Sequence, residues 1–538
     1  MTIVFKSPYP DVLIPLDAAI WNKLEHHARA NGDKPALICG MSERTLTFAE
    51  TFKLAQLVCA GLAASGIHKG DVVVLHSFNC LEYPLVFLAL NRLGAVCSPS
   101  SPLFHSEELT DQIRSSKASV VISHVAFAEV AVQAAGRSGI PPNKVFTLGH
   151  PKGVAGLQTI EALMEMNLPL PNLPKTGPHD VVLLPFSSGT TGRPKGVELT
   201  ARAMYACGAR VSSMQVDAAY ILAVLPFFHI AATMIFHVTI FKGIAMIVLP
   251  RFEPGSFLRV IEQYKLGVVY IVPPIVQFLA QHPVVDKYDL SSLNQLASGA
   301  APLGDELVDT IHKRLGIPVL QSYGMTELAG GATHSSPTEY RNGASGKLLP
   351  NTELRVRCLK TGVDLAANQR GELLIRSPAA MKGYFSNPEA TRATFTDDGF
   401  VCTGDVGYID QDGYVFIVDR LKELIKYKGH QVAPAEIEDA VNSHPNVADS
   451  CCVRGFDLSS GEEIPKAFAV LKPNDGEPLT AEELMEYVAT KVAGFKRVRE
   501  VEFVDAIPKS LSGKILRREL QVRQDKKVEA ARSTRSRL

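Results

Sequence analysis

At 538 residues the chain is longer than a single hydrophobic core can serve, so it must divide into at least two domains. Hydrophobic residues at 46% and charged residues at 20% suit a folded globular protein and exclude a disordered one. Lys plus Arg and Asp plus Glu both total 55, so net charge gives no reason to invoke nucleic acid or an anionic membrane.

Residues 1–17 carry prolines and acids but no apolar h-region, and no secretory signal is expected. From about 45 to 325, β-rich runs alternate with helical patterns. Val72–Leu75, Val120–Ser123, Val181–Pro185, Val268–Val272 and Pro318–Ser322 read as strands, and Ser256–Tyr264 and Pro302–Leu315 as helices. That alternation predicts a mostly parallel sheet with helices on both faces. Ala218 to Phe241 holds no formal charge, long enough for a membrane span, but Pro226, His229 and His237 interrupt it. It reads instead as punctuated core, with buried strands at Ile221–Leu225 and Ile244–Leu249.

From about 345 to 418, short strands and the Asp398-Gly399 and Asp412-Gly413 turns predict a small antiparallel sheet. Beyond it lies a compact α+β unit. Pro434 opens a helix, Val447–Arg454 and Ala467–Leu471 are strands, and Thr480-x-x-Glu483 is a capping box. The predicted fold is therefore α/β, with a large domain over 1–419 and a small α+β domain over 421–538. From Glu519 the chain is strongly charged and reads as a mobile tail. Nine scattered cysteines with no C-x-x-C pair suggest neither a zinc site nor a disulfide framework, and reduced thiols are the simplest expectation.

The strongest local signal is Ser187-Ser188-Gly189-Thr190-Thr191-Gly192-Arg193-Pro194-Lys195-Gly196, directly after a predicted strand. Glycines let backbone N–H groups approach an anion, hydroxyls add donors, and Lys195 adds a point charge. With Pro194 in place of the second glycine and Gly196 in place of the hydroxyl residue, it is not the ordinary nucleotide loop. It resembles the signature loop of the adenylate-forming superfamily, which includes acyl- and aryl-CoA ligases, luciferases and peptide-synthetase adenylation domains. Similar motifs follow in the superfamily's order: Leu225-Pro-Phe-Phe-His229, Ser298-Gly-Ala-Ala-Pro302, Gln321-Ser-Tyr-Gly-Met-Thr-Glu327, Gly371 to Arg376, Thr403-Gly-Asp405, Asp419-Arg420-Leu-Lys422, Tyr427-Lys-Gly-His-Gln431 and Gly513-Lys514. The subgroup most similar to this chain is that of the 4-coumarate–CoA ligases.

The resemblance implies an ATP-dependent acid–CoA ligase, with ATP, Mg²⁺ and coenzyme A as cofactors or cosubstrates. It implies that residues 187–195 hold the departing phosphates, that Thr326 contacts the α-phosphate and that Glu327 holds Mg²⁺. Asp405 would accept the ribose hydroxyls, Arg420 would reach ribose or phosphate, and Ala300 and Gln321 would line the adenine and acyl pocket. Lys514 would bridge carboxylate and α-phosphate in the first step. For the second, the small domain would turn at Lys422, Lys426 and Gln431 would meet the adenylate, and Lys428, Gly429 and Arg251 would contact CoA. His229 would gate the acyl pocket, whereas His237 reads as structural.

Two features bear on substrate and place. Two residues beyond the gate histidine, where hydroxycinnamate ligases typically carry Tyr, this chain has Ala231; Leu373 or Leu374 stands for a Cys, and Ser377 for a Gly. The expected acid is an aryl, cinnamic-type or medium-chain fatty acid. Ser536-Arg537-Leu538 differs from the Ser-Lys-Leu peroxisomal address by one basic exchange, so a peroxisomal import receptor and matrix location are expected. A luciferase-like oxygenase, a carrier-loading adenylation domain and a non-catalytic nucleotide-binding protein are the competing readings.

Overall fold

The computed structural model describes the chain except residues 1, 16, 151–153, 155, 188–193, 215–217, 300–302, 429, 458–461, 474–478, 511–512 and 536–538. It is a mixed α/β structure with a large N-terminal and a smaller C-terminal domain. The alternating stretch forms separate sheets rather than one. Val181–Leu183, Val96–Ser100, Val72–His76, Val120–His124, Val145–Leu148 and Gln158–Thr159 lie parallel, in that order, and Lys195–Thr200 adds to the Val181–Leu183 edge antiparallel. The second sheet joins Tyr220–Ala223 and Ala245–Val248 to Pro35–Cys39 and Thr45–Thr47; the third is the parallel set Val268–Ile271, Gln295–Ser298 and Val319–Gln321. Strands such as Val72–His76 are buried throughout, which explains why they read as continuous apolar runs rather than alternations.

The uncharged stretch resolves as the punctuation suggested. Tyr220–Ala223 is a strand and Ile230–Lys242 a helix, capped by the His229 ring and stopped by Gly243 at φ +65°. A side chain at Gly243 would collide with the His27 ring as well as strain the backbone. Among the described residues no helix is long and apolar enough to cross a membrane. His237 is buried with Nδ1 at 2.8 Å from the Thr233 carbonyl, a structural placement.

The predicted antiparallel sheet is present as Glu353–Arg357, Gly371–Arg376, Val401–Ile409 and Val415–Arg420, with Phe5–Lys6 added from the far end of the sequence. Ser7 Oγ donates to the Leu348 carbonyl beside it, across 341 residues of chain. Further on, Val447–Phe456, Glu463–Leu471 and Glu500–Phe503 form the small-domain sheet, and Thr480 caps Ala481–Lys491 as read. Its core gathers Ile425, Val432, Ile437, Val441, Leu484 and Val488.

One expectation is overturned here. The charged segment from Glu519 is not loose but helical, within Arg517–Arg535. Leu520, Gln524 and Val528 fall on one face at helical spacing and are buried, while the charges occupy the rest. Lys466, fully buried, ties this helix down, donating to Glu500 at 2.8 Å, Glu502 at 2.7 Å and Gln524 at 2.7 Å.

The two domains touch. Gln277 Nε2 donates to the Ala448 carbonyl at 3.2 Å, Arg370 pairs with Glu436 at 3.2 Å, and Gly513 lies against Pro274.

Candidate functional site

Five regions far apart in sequence converge near the ends of the Gly- and hydroxyl-rich segment 187–195. Ser187 closes the short strand before it and Lys195 opens the strand after it. Ser188, Gly189, Thr190, Thr191 and Gly192 lie outside the described residues, as do Ala300 and Gly429. Glu327 sits in a single 3-10 turn, Thr326–Leu328, and is buried. Its Oε1 accepts from Ser187 Oγ at 3.0 Å and from Tyr384 Oη at 2.9 Å. Lys195 stands 4.9 Å from the centroid of the same Tyr384 ring, a cation–π contact. Gln321 ends the third sheet's edge strand in register with Ser298, so its side chain and the 326–327 turn issue from the carboxyl end of a parallel strand.

Asp405 is buried in the strand Val401–Ile409, directly opposite Arg420 in the antiparallel register. It receives the Tyr323 hydroxyl at 2.5 Å and lies 3.4 Å from Arg420 Nε. Burial pushes its carboxyl up, against the opposing pull of Arg420, the Tyr323 hydroxyl and Lys514.

Lys514 reaches this cluster from the small domain. Its ammonium is held below the usual lysine range by burial and by Arg420, with Glu423, Asp405 and Glu327 opposing. His229 caps its helix by accepting from the Ala231 N–H at 3.3 Å, and burial, then Lys514, push its ring down to about 4, so it is neutral near pH 7. A partly buried charged centre results: the Lys195 and Lys514 ammoniums, the Arg420 guanidinium and the buried carboxylates of Asp405 and Glu327 with their hydroxyl donors.

Other expected residues lie apart from it. Lys422, Lys426, Lys428 and Gln431 are exposed. Lys426 and Gln431 pair across the hairpin Ile425–Tyr427/His430–Val432, and Lys428 takes φ +46° at its tip. Arg251 is exposed beyond the strand Ala245–Val248. The structure thus presents Lys514 to the large domain and leaves the side chains of Lys426, Lys428 and Gln431 in solvent. Sequence reasoning gave no role to Tyr384 or Tyr323. Tyr384 acts through pairing of Gly383–Tyr384 with Val197 and Glu198, a contact no local pattern announces.

Residues 24–385 match the family model for AMP-binding enzymes, and residues 436–514 match that of the AMP-binding enzyme C-terminal domain. The chain is 39% identical to a 4-coumarate–CoA ligase of Oryza sativa subsp. japonica over 534 residues, 97% of each chain. It is similar to the structure of an anthranilate CoA ligase in complex with anthranoyl-AMP, with TM-score 0.87 at 26% identity, covering 96% of this chain and 99% of the other. ATP-bound MatB from Rhodopseudomonas palustris superposes with TM-score 0.83 at 28% identity, covering 93% and 98%.

Proposed function

We infer the course of the reaction from the premise that the chain belongs to the AMP-binding enzyme family: it is an ATP-dependent, AMP-forming acid–CoA ligase. A carboxylate attacks the α-phosphorus of ATP, releasing pyrophosphate and leaving an acyl-adenylate. The CoA thiol then attacks the acyl carbon, and AMP departs carrying the electron pair of the broken bond. The observation that carries our assignment of residues is the seat of Gly513 and Lys514: Gly513, held by the small domain, lies against Pro274 and Val272 of the large one, and the Lys514 ammonium feels the charges of Arg420, Asp405 and Glu327.

In this reading Asp405 accepts the ribose hydroxyls once Tyr323 turns away, and Arg420 and Thr326 meet the phosphates. The loop 187–195 holds the departing pyrophosphate, Lys514 neutralises charge gathering on the α-phosphate, and Gln321 and Ala300 line the pocket. Glu327 suits Mg²⁺. Both hydroxyl donors engage Oε1, and among the described residues no group of three or more His, Cys, Asp or Glu forms a cage. A hard cation bound chiefly by phosphates and water needs only such a single carboxylate, and when bound it supplies charge to the phosphate oxygens. The small domain then turns about Lys422, at the joint between domains 1–419 and 421–538. That motion withdraws Lys514 and brings in Lys426 and Gln431, with Lys428, Gly429 and Arg251 meeting CoA and neutral His229 gating the thiol's path.

For the acid, the side of the helix Ile230–Lys242 next to His229 carries Ala231 and, one turn on, Met234, which packs against Gly330 and Gly331. Neither side chain offers a hydroxyl to a phenolic ring. This favours an apolar aryl, cinnamic-type or medium-chain fatty acid. In a CoA-dependent AMP-release assay with Mg-ATP, such acids should turn over faster than 4-coumarate. A panel in which 4-coumarate outcompetes every one of them would refute the assignment.

The address at residues 536–538, outside the described residues, supports placement in the peroxisomal matrix through an import receptor. With a fluorescent protein at the N-terminus, removal of Leu538 should move the signal from peroxisomes to cytosol; an unchanged distribution counts against it.

A further inference from the structure

Three residues after Lys514, Arg517 makes a cluster of contacts that neither the reaction nor the small domain's apolar core accounts for. Its Nε donates to Glu423 at 2.8 Å, Nη1 to the Cys452 carbonyl at 2.6 Å, and Nη1 and Nη2 together engage both oxygens of Glu438. Glu438 also accepts the Cys452 N–H at 2.6 Å, so neither carboxylate oxygen lacks a donor. The four groups come from four places: the helix Arg517–Arg535, the turn after Arg420, the helix Pro434–Asn442 and the strand Val447–Phe456.

Glu423 is the informative member. Its N–H donates to the Arg420 carbonyl at 3.0 Å, so it belongs to the turn that leaves the large domain. On the other side, the segment bearing Lys514 is closed on itself: the Lys514 N–H donates to Ser510 Oγ at 3.2 Å, the Ser510 N–H to the Lys514 carbonyl at 2.9 Å, and the Leu516 N–H to the Pro508 carbonyl at 2.8 Å. Residues 508–510 and 514–516 are thus tied to each other, and Arg517 is the point where they are fastened to the inter-domain turn.

We propose that Glu423 and Arg517 are positioning residues that couple the inter-domain turn to the Lys514 loop, so that closing the domain joint delivers Lys514 to the adenylation centre. The coupling rests on the reading of Lys514 given above. It acts in two ways. The bidentate and forked contacts of a guanidinium fix direction, which a lysine ammonium in its place would not. The Glu423 carboxylate also faces Lys514 and Arg420 together and offsets the repulsion between the two cations. Groups facing Lys514 from the packed elements are Arg420, Glu423, Asp405, Glu327 and His229. Because the hydrogen bonds of Arg517 to Glu423, Glu438 and the Cys452 carbonyl all lie on the small-domain side of Arg420, turning that domain leaves them whole, although the Asp419 carboxyl on the other side also feels the Arg517 charge. Thioester formation, which presents a different hairpin, does not depend on where Lys514 points.

The test uses Glu423→Gln and Arg517→Lys in the full chain, both of which keep a polar partner at the contact, beside Lys514→Ala. Two half-reactions are measured with the panel acid that the unaltered enzyme turns over fastest. Acid-dependent pyrophosphate exchange should fall about 10- to 100-fold in both positioning variants, the scale of a reacting group misplaced by about 1 Å. CoA thioester formation from that acid's synthetic adenylate should stay within about threefold. In Glu423→Gln the alkaline limb of exchange should move to lower pH, since losing the carboxylate lets Lys514 give up its proton sooner. An equal fall in both half-reactions would reduce the cluster to a structural role and overturn the proposal. So would unchanged exchange in the two variants while Lys514→Ala abolishes it. Exchange surviving in Lys514→Ala would instead refute the role of Lys514, and the coupling with it.

Discussion

In the Lys514→Ala enzyme, acid-dependent exchange of pyrophosphate into ATP falls about a thousandfold, while thioester formation from supplied acyl-adenylate persists. A unit charge about 4 Å from a developing oxyanion, at an effective dielectric of about 20, is worth roughly 4 kcal/mol. Realised only in the transition state, that energy is on the order of a thousandfold in rate. Lys514 is half-buried and feels the charges of Arg420, Asp405 and Glu327, a setting less screened than open solvent, which makes the larger part of that figure attainable. Its proton is also lost more readily than from an ordinary lysine, because burial and Arg420 disfavour the ammonium. Exchange should therefore decline on the alkaline side below the ordinary lysine range. An alanine variant that lost both half-reactions equally would show that Lys514 supports the fold rather than the first chemical step.

The largest effect on stability should come from Lys466→Met. The ammonium is fully buried and meets Glu500, Glu502 and Gln524. Removing it leaves Glu500 and Gln524 without the ammonium they meet and Glu502 with only Arg523 and Lys527. Breaking a fully buried pair costs about 3–5 kcal/mol, and the partial exposure of Glu500 places this change at about the lower end. Denaturant unfolding followed by fluorescence should show the small-domain transition at much lower denaturant, with large-domain unfolding little changed. Coincident and unshifted transitions would refute this. Acid should act on the same group. Burial alone would raise Glu502, but Lys466 and Lys527 outweigh it and hold the carboxyl down to about 2. A depressed carboxyl contributes stability that is complete above the ordinary value of 4.5 and lost as pH falls toward 2. In Lys466→Met the share of that acid-dependent part owed to Lys466 should vanish, and the share owed to Lys527 should stay.

What the sequence made legible follows physical locality. Val72–His76 and Val120–His124 are buried on both faces, so their apolar runs needed no partner to be read. Thr480 and Pro434 carry capping and start chemistry within a few residues of the helices they open. Asp405 and Arg420 come from motifs each readable alone, though only the antiparallel register shows them opposite one another. Tyr384 on Glu327 and Arg517 on Glu423 escaped because they depend on segments 57 and 94 residues distant. The segment after Glu519 misled for another reason. Three buried positions among many charges are enough to dock a helix on a sheet, but too few to dominate its composition.

The strand Phe5–Lys6 has a consequence for the order of events during synthesis. In the native sheet it pairs with Glu353–Leu354, and the adjoining Ser7 hydroxyl donates to a carbonyl 341 residues later. At translation rates of about 5–20 residues per second, roughly 20–70 s pass before the partner follows it from the ribosome. Through that interval the first residues are an unpaired strand that any other edge could capture. They are short, and Lys6 puts a charge within them, which makes a wrong partnership less rewarding. The antiparallel sheet that carries Asp405 can therefore seal its outer edge only after the 187–195 segment and all the parallel strands of the large domain have already emerged.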